Sequence, residues 1–483
     1  MIQALQLILA LSFLVVIHEF GHFLFARLFG VRVEKFYMFF DYKISLVKAK
    51  KYNGKWHFRF FSPTTDEKDP NEEWNKYPDN TEWGIGWIPF GGYCAISGMV
   101  DETHDAEQIA QTEPQPWEFR SKNVWQRFCI IIGGITVNFI AALIIFGQLL
   151  FVWGEDSLPL RNVDSGLYFS EVLVQEGFEQ QDKILAIDGE EPADLYSIVQ
   201  SLILEGKREV TVLRNSDTIR LIMSEELGIR YLAAQNEFDR VERLKAHKDD
   251  TYQKSHYTLI SEYIPFVVDS AIVGHIASEA GIVKGDTIVA VAGVLTPCAP
   301  MVDVEMRKHP CEQINITVGR DSGRVDVPMF IGDQCRMGVV NMNKYRFFAT
   351  EHTSYTFWQS IPAGVRYGWD TLVMYVKQFR LVFTKEGAES LGGFGAIGSM
   401  FPKQLSWYGF WSITAFLSLV LAFMNFLPIP ALDGGYILFL IFEMLTGIKP
   451  SDKFLEKANM MGMFLLLILL IYVNGNDIFK AFF

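Results

Sequence analysis

The sequence predicts a multi-pass α-helical membrane protein with four transmembrane helices and a water-soluble insert of two α+β domains. Three observations lead there. Four apolar stretches are separated by polar chain, a motif block occurs twice between the second and third of them, and Lys and Arg gather in the loops after the first and third. Of 483 residues, 50% are hydrophobic and 20% charged, which excludes a disordered or collagen-like chain and a disulfide scaffold. The net charge of -13, with no basic stripe, excludes a nucleic-acid partner. Cys94 and Cys129 lie near or within spans. Cys298, Cys311 and Cys335 share one soluble domain, where a single disulfide would leave one thiol over and the sequence does not set the pairing.

Residues 1–30 run IQALQLILALSFLVVI into HEFGHFLFARLFG and lack both a basic leader and a small-residue cleavage site, so they are expected to stay as the first span. Residues 31–127 read as a cytoplasmic loop, because Arg27, Arg32 and Lys35 open it and Arg120, Lys122 and Arg127 close it. Residues 128–153 run 26 positions without a charge, against about 20 needed to cross a bilayer. This second span leaves through Glu155 and Asp156 into chain poor in basic residues, which puts the insert outside. Residues 355–400 mix basic and aromatic residues in the manner of a helix lying on the outer membrane surface; a helix lining a partner groove is the alternative. Residues 405–435 hold the third span and residues 454–475 the fourth. Between them, YILFLIFEMLTGI (436–448) is too short to cross and reads as buried or re-entrant. Lys449, Lys453 and Lys457 place that loop on the cytoplasmic side, so both termini lie outside.

Within the insert, EGFEQQDKILAIDG (176–189) overlays EAGIVKGDTIVAVAG (279–293), so that Gly177, Asp182, Ile184, Ala186 and Gly189 meet Gly281, Asp286, Ile288, Ala290 and Gly293. Further on, VTVLRNSDTIRLIM meets ITVGRDSGRVDVPM, each a strand, polar turn and strand. The unit resembles the PDZ domain in its bacterial protease version, and two PDZ-like α+β domains are expected at 161–232 and 258–341. Such a domain either adds a peptide as a strand to a sheet edge or acts as a steric filter. The linker, 233–257, is charged and expected to be exposed.

The chemistry begins with His18, Glu19, Phe20, Gly21 and His22, an H-E-x-x-H. On a helix the two imidazoles share one face and can reach one zinc ion, while Glu19 stands beside it to take a proton from water. Three ionisable residues in an apolar span each cost on the order of 2.5–3.5 kcal/mol unless partnered, which removes the reading as a solvated surface. Zinc needs a third protein ligand, and the run after His22 supplies no further His. The best intramembrane candidate is Asp433 in NFLPIPALDGG (425–435), where two prolines break the helix at membrane depth and can turn a carboxylate inward. The alternative is that Pro428 and Pro430 end the span and Asp433 only caps the next helix.

HEFGH in the first span, NFLPIPALDGG in the third and tandem PDZ-like domains between spans two and three together resemble the site-2 protease family, in its bacterial regulator-of-sigma-E protease type. The resemblance implies zinc-dependent cleavage, within the bacterial inner membrane, of single-span proteins such as anti-sigma factors, and of signal-peptide remnants. It implies His18, His22 and Asp433 as zinc ligands, Glu19 as catalytic base and Asn425 as a substrate-backbone contact. GWIPFGGYCAISGM (86–99) looks like the family's membrane-dipping β-hairpin, with Gly91, Gly92 and Tyr93 binding the substrate as an added strand; a mere tight turn at Gly91-Gly92 is the alternative. The implied arrangement puts the active site near the cytoplasmic side and the PDZ-like domains in the periplasm. Two positions depart from the family pattern: Ile135 stands in GGITVNF where Pro is usual, and Phe394 follows Gly392-Gly393. The rival readings are a non-catalytic PDZ membrane scaffold with a structural metal, and an ion pathway through His18, Glu19 and His22.

Overall fold

The computed structural model describes residues 2–64, 73–99, 113–246 and 257–482. In chain order its principal helices are α1 (Ile2–Leu28), α2 (Val124–Trp153), α3 (Leu227–Ala246), α4 (Ala299–Met306), α5 (Phe357–Phe379), α6 (Trp407–Phe426), α7 (Asp433–Thr446) and α8 (Asp452–Phe482). Four are long and apolar enough to cross a membrane: α1, α2, α6 and Lys453–Phe479 of α8. The chain forms two compact units, one of residues 1–154, 354–375 and 392–477, the other of 155–353, 376–391 and 478–483.

In the first unit α1 lies against α2 at glycine contacts. A Cβ at Gly21 would stand 2.4 Å from the Gly133 carbonyl oxygen, so only glycine permits the approach. Asn123 caps α2 in a reciprocal box with Gln126. The expected surface helix α5 packs on α2 through its small face, Ser360, Gly364 and Gly368, all buried. A Cβ at Gly364 would come within 2.4 Å of the Gly147 nitrogen, which explains why residues spaced by four are small. The third apolar stretch breaks at Phe426, since Pro428 and Pro430 cannot continue the ladder. It resumes at Asp433 as the 14-residue α7, roughly 21 Å long and thus short of a roughly 30 Å hydrocarbon core.

The loop after α1 folds into a sheet of β1 (Val33–Phe40), β2 (Ile44–Tyr52), β3 (Lys55–Pro63), β4 (Glu82–Ile85) and β5 (Ile88–Ile96), ordered β3-β2-β4-β1-β5. The hairpin expected near 84–99 is therefore not one. β4 and β5 each pair with β1, which lies between them, β4 in parallel and β5 antiparallel. The chain crosses the end of β1 at Gly86 and Trp87, whose backbone N–H groups donate to the Met38 and Phe40 carbonyls. A Cβ at Gly86 would sit 2.2 Å from the Phe40 oxygen, so glycine makes the crossing possible. Residues 65–72 and 100–112 of the expected loop lie outside the described residues.

The second unit holds the two repeats, each with a three-strand antiparallel core: Lys183–Ile187, Glu209–Arg214 and Asp217–Ile222 in the first, Thr287–Val291, Glu312–Arg320 and Gly323–Ile331 in the second. The repeated Asp has one role in both. Asp182 accepts from the Glu179 N–H and is gripped by Arg214, and Asp286 accepts from the Val283 N–H and is gripped by Arg320. Each arginine also donates to the glycine carbonyl of its motif, Gly177 or Gly281. Beside Arg320, the Asp286 carboxyl is held below the usual carboxylate range. Two boundaries differ from the sequence expectation. Ile260–Glu262, beyond residue 232, pairs with Leu167–Phe169 of the first repeat, as Val339–Asn341 pairs with Phe266–Ala271 in the second. The expected exposed linker is helical as far as Ala246, and Glu242 is buried where it meets Arg307 and Arg336. Its residues 247–256 lie outside the described residues.

Candidate metal centre

Two helices bring His18, His22 and Asp433 to one point. The histidines are one turn apart on α1, and Asp433 opens α7 directly after the proline break. His18 Nε2 stands 3.2 Å from Asp433 Oδ2, His22 Nε2 stands 3.3 Å from the same oxygen, and the two Nε2 atoms are 3.2 Å apart. A tetrahedral centre with bonds of about 2.0–2.1 Å separates its ligand atoms by roughly 3.3 Å, so the triangle has the edge length zinc requires. Asp433 Oδ2 is buried and makes no hydrogen bond, although two imidazole nitrogens lie this close. A buried carboxylate oxygen left without a hydrogen bond between two imidazole nitrogens points to a shared centre, and the donor set fits a divalent metal.

Neighbouring groups fix the ligands. His22 Nδ1 lies 3.0 Å from the Ile130 carbonyl on α2; as donor to that oxygen it leaves the Nε2 lone pair aimed at the centre. Asn138 Nδ2 approaches His18 Nδ1 at 3.4 Å, and the Asn138 backbone carbonyl accepts from the Ser418 hydroxyl of α6 at 2.8 Å. Gly134 floors the site, since a Cβ there would lie 2.5 Å from His22 Nε2 and 2.8 Å from His18 Cε1. The unusual Ile135 is buried in the cluster joining α1, α2 and α7, so the absence of proline leaves α2 continuous. Asp433 is held by close packing of the break. Cβ atoms at Gly434, Gly435 and Gly462 would strike the carbonyls of Leu427, Ile429 and Pro430 at 2.0, 2.6 and 1.9 Å. Arg127 of α2 pairs with Glu443 one face along α7, anchoring that helix beside the site. Glu19 is partly buried on α1 between the two ligands.

Asn425 is buried in the last turn of α6, eight positions before Asp433. Gly91 and Gly92 lie inside β5, not at a turn. Cβ atoms there would meet the Phe40 ring at 2.6 Å and the Tyr37 carbonyl oxygen at 2.6 Å. Gly92 also faces Val15 of α1, a turn before His18. The Tyr93 side chain stacks on Tyr37 and donates to Asp41 at 3.0 Å, so it is committed to the sheet. Among the described residues β5 pairs only with β1, which leaves its other edge open. Gly392-Gly393 precedes the short helix Phe394–Met400, whose first N–H groups donate to Asn474 and Asp477 of α8.

The family model for peptidase family M50 matches residues 6–63 and 72–469. The chain belongs to this family. As an M50 site-2 protease it is a membrane metalloprotease, and its relatives cover it end to end. A regulator of sigma-E protease from Escherichia coli is 26% identical over 97% of both chains. A regulator of sigma E protease from Haemophilus influenzae is 24% identical over 98% of both. A Ralstonia nicotianae protein named as a zinc metalloprotease is 24% identical over 100% of this chain and 99% of its own.

Proposed function

We propose that this M50 protease uses zinc held by His18, His22 and Asp433 to hydrolyse a peptide bond within the membrane. The observation that carries the reading is the triangle of two Nε2 atoms and one carboxylate oxygen, 3.2–3.3 Å on a side, between the apolar helices α1 and α7. When bound, the metal supplies Lewis acidity, activating water near neutral pH and polarising the scissile carbonyl. Glu19 accepts the proton released by the attacking water and delivers it to the departing amide nitrogen. Asn425 holds the substrate backbone beside the centre.

A transmembrane helix hides its peptide bonds, so a segment must unwind before attack, and its freed N–H and C=O groups need partners. The open edge of β5 at Gly91, Gly92 and Tyr93 supplies them through backbone, with the Tyr93 ring kept on the far side by Tyr37 and Asp41. The substrates are single-span proteins of the anti-sigma-factor kind, as the names of the relatives suggest, together with signal-peptide remnants. The two repeats are PDZ-like domains on the periplasmic side of the inner membrane, and the catalytic end of α1 faces the cytoplasm.

The test is cleavage of a single-span substrate by detergent-purified wild type, by chelator-treated enzyme and by Glu19→Gln with its metal content measured. Cleavage by wild type alone, with zinc retained in Glu19→Gln, supports the assignment. Metal bound without cleavage of any single-span substrate would favour the scaffold instead.

A further inference from the structure

The sheet that follows α1 has its polarity inverted. Residues paired across a ladder share a face, so register sorts the side chains. Trp56, Phe58 and Phe60 of β3 lie opposite Lys51, Ala49 and Val47 of β2, and Ala49 and Val47 lie opposite Trp83 and Ile85 of β4. Trp83 and Ile85 in turn lie beside Phe36 and Met38 of β1. Apart from Lys51 beside the hairpin tip, these positions are apolar across four strands. The other face carries Lys48, Lys50, Tyr52, His57, Arg59, Tyr37 and Glu82, and it is the covered one. Trp74 donates to Glu82 and lies under the Arg59 guanidinium, Tyr52 stacks between His57 and Tyr77, and Lys48 and Lys50 are buried.

In water a one-sided sheet buries its apolar face and hydrates its polar one. Here Trp56, Phe58 and Phe60 are 50%, 59% and 65% exposed in a face whose one charge among these ladder positions is Lys51 at the hairpin end, an arrangement water does not favour. That face continues directly from a membrane helix. At its near end Phe36 and Trp83 pack edge-on against Phe23 of α1, with ring centroids 5.8 and 5.0 Å away. Phe23 is five residues from the end of α1, roughly 8 Å of helix, which is headgroup depth for a helix that spans.

We propose that the β2–β3 hairpin is a membrane anchor, its Trp56, Phe58 and Phe60 face seated in the interfacial layer of the leaflet that receives the C-terminal end of α1. Trp belongs at that level, and the three alternating aromatics extend about 13 Å along the surface. The hairpin tip turns at Asn53-Gly54, both at positive φ, and brings exposed Lys51 and Lys55 to the rim, where ammonium groups reach lipid phosphates. The role is to hold the sheet in register with α1, so that the β5 edge stays level with His18 and His22.

The full-length chain, with Cys311→Ser removing the exposed native thiol, is reconstituted into liposomes of phosphatidylethanolamine and phosphatidylglycerol. Phe58→Cys, Phe60→Cys and His57→Cys are labelled in turn with an environment-sensitive fluorophore. The anchor predicts roughly threefold stronger quenching of the Phe58 and Phe60 probes by lipids carrying a doxyl group near the headgroup than of the His57 probe, with little quenching by aqueous iodide. Iodide quenching of the Phe58 and Phe60 probes equal to that of a fully exposed site overturns it. Shielding of both probes from iodide and doxyl lipid alike also overturns it, because a protein partner or second copy then covers the face.

Discussion

At the residue scale the site separates chemistry from positioning. Glu19→Gln keeps the shape and removes the base, so peptide cleavage should fall by about 10²–10⁴-fold with metal content unchanged, read by single-turnover assay and metal analysis. Gly134→Ala adds one methyl where 2.5 Å separates it from His22 Nε2, so the imidazoles must move. Its expected signature is different: metal affinity weaker by about 10–100-fold, measured by competition with a chelating dye, with activity restored at high metal. HEFGH and the LDGG turn were legible from their types and spacing. Gly134 and the Ile130 carbonyl were not, since a glycine and a backbone oxygen carry no chemical signature and meet His22 only across the α1–α2 contact.

At the element scale the repeats and the sheet make distinct predictions. The Asp182–Arg214 and Asp286–Arg320 grips explain why both copies keep Gly and Asp at the start of a strand. The arginines stood in the aligned VLRN and VGRD blocks, but their partners lie more than thirty positions earlier, which only the folded hairpin reveals. Asp286 titrates lower when folded than when unfolded, so its contribution to stability is present above about pH 4 and is lost as pH falls through the lowered value. Arg320→Gln should raise hydrogen exchange in Glu312–Arg320 near neutral pH, and the difference from wild type should fade in acid. In the sheet, Tyr93→Phe removes a bond to Asp41 but no substrate contact, so kcat/KM should stay near wild type. Gly92→Val presses on the Tyr37 carbonyl and Val15 and should block strand addition, raising KM in a peptide-competition assay.

At the scale of the whole molecule, four helices are long and apolar enough to span and a two-repeat insert separates the second from the third, and on the proposed function such a protease must admit an extended segment of an otherwise helical substrate. With the insert acting as a periplasmic filter, a single-span substrate trimmed to a short outer segment should be cleaved faster than the same span carrying a folded ectodomain, compared as kcat/KM in proteoliposomes. Removing residues 155–353 should narrow that ratio.

The sequence by itself located four stretches apolar enough to span, the duplicated insert, and the candidate metal site of His18, His22 and Asp433 with Glu19 beside it. Each of these rests on local properties: apolar length, residue type, and spacing along a helix or repeat. Tertiary structure alone decided that the 84–99 segment straddles β1 instead of forming a hairpin, that the Tyr93 ring stacks on Tyr37 of β1, and that α5 lies along α2. It also decided that the apolar face of the β2–β3 hairpin continues the surface of α1. These are choices among pairings that local sequence leaves nearly equal, and they are settled by which backbones can approach at glycine and by which side of a sheet finds a cover.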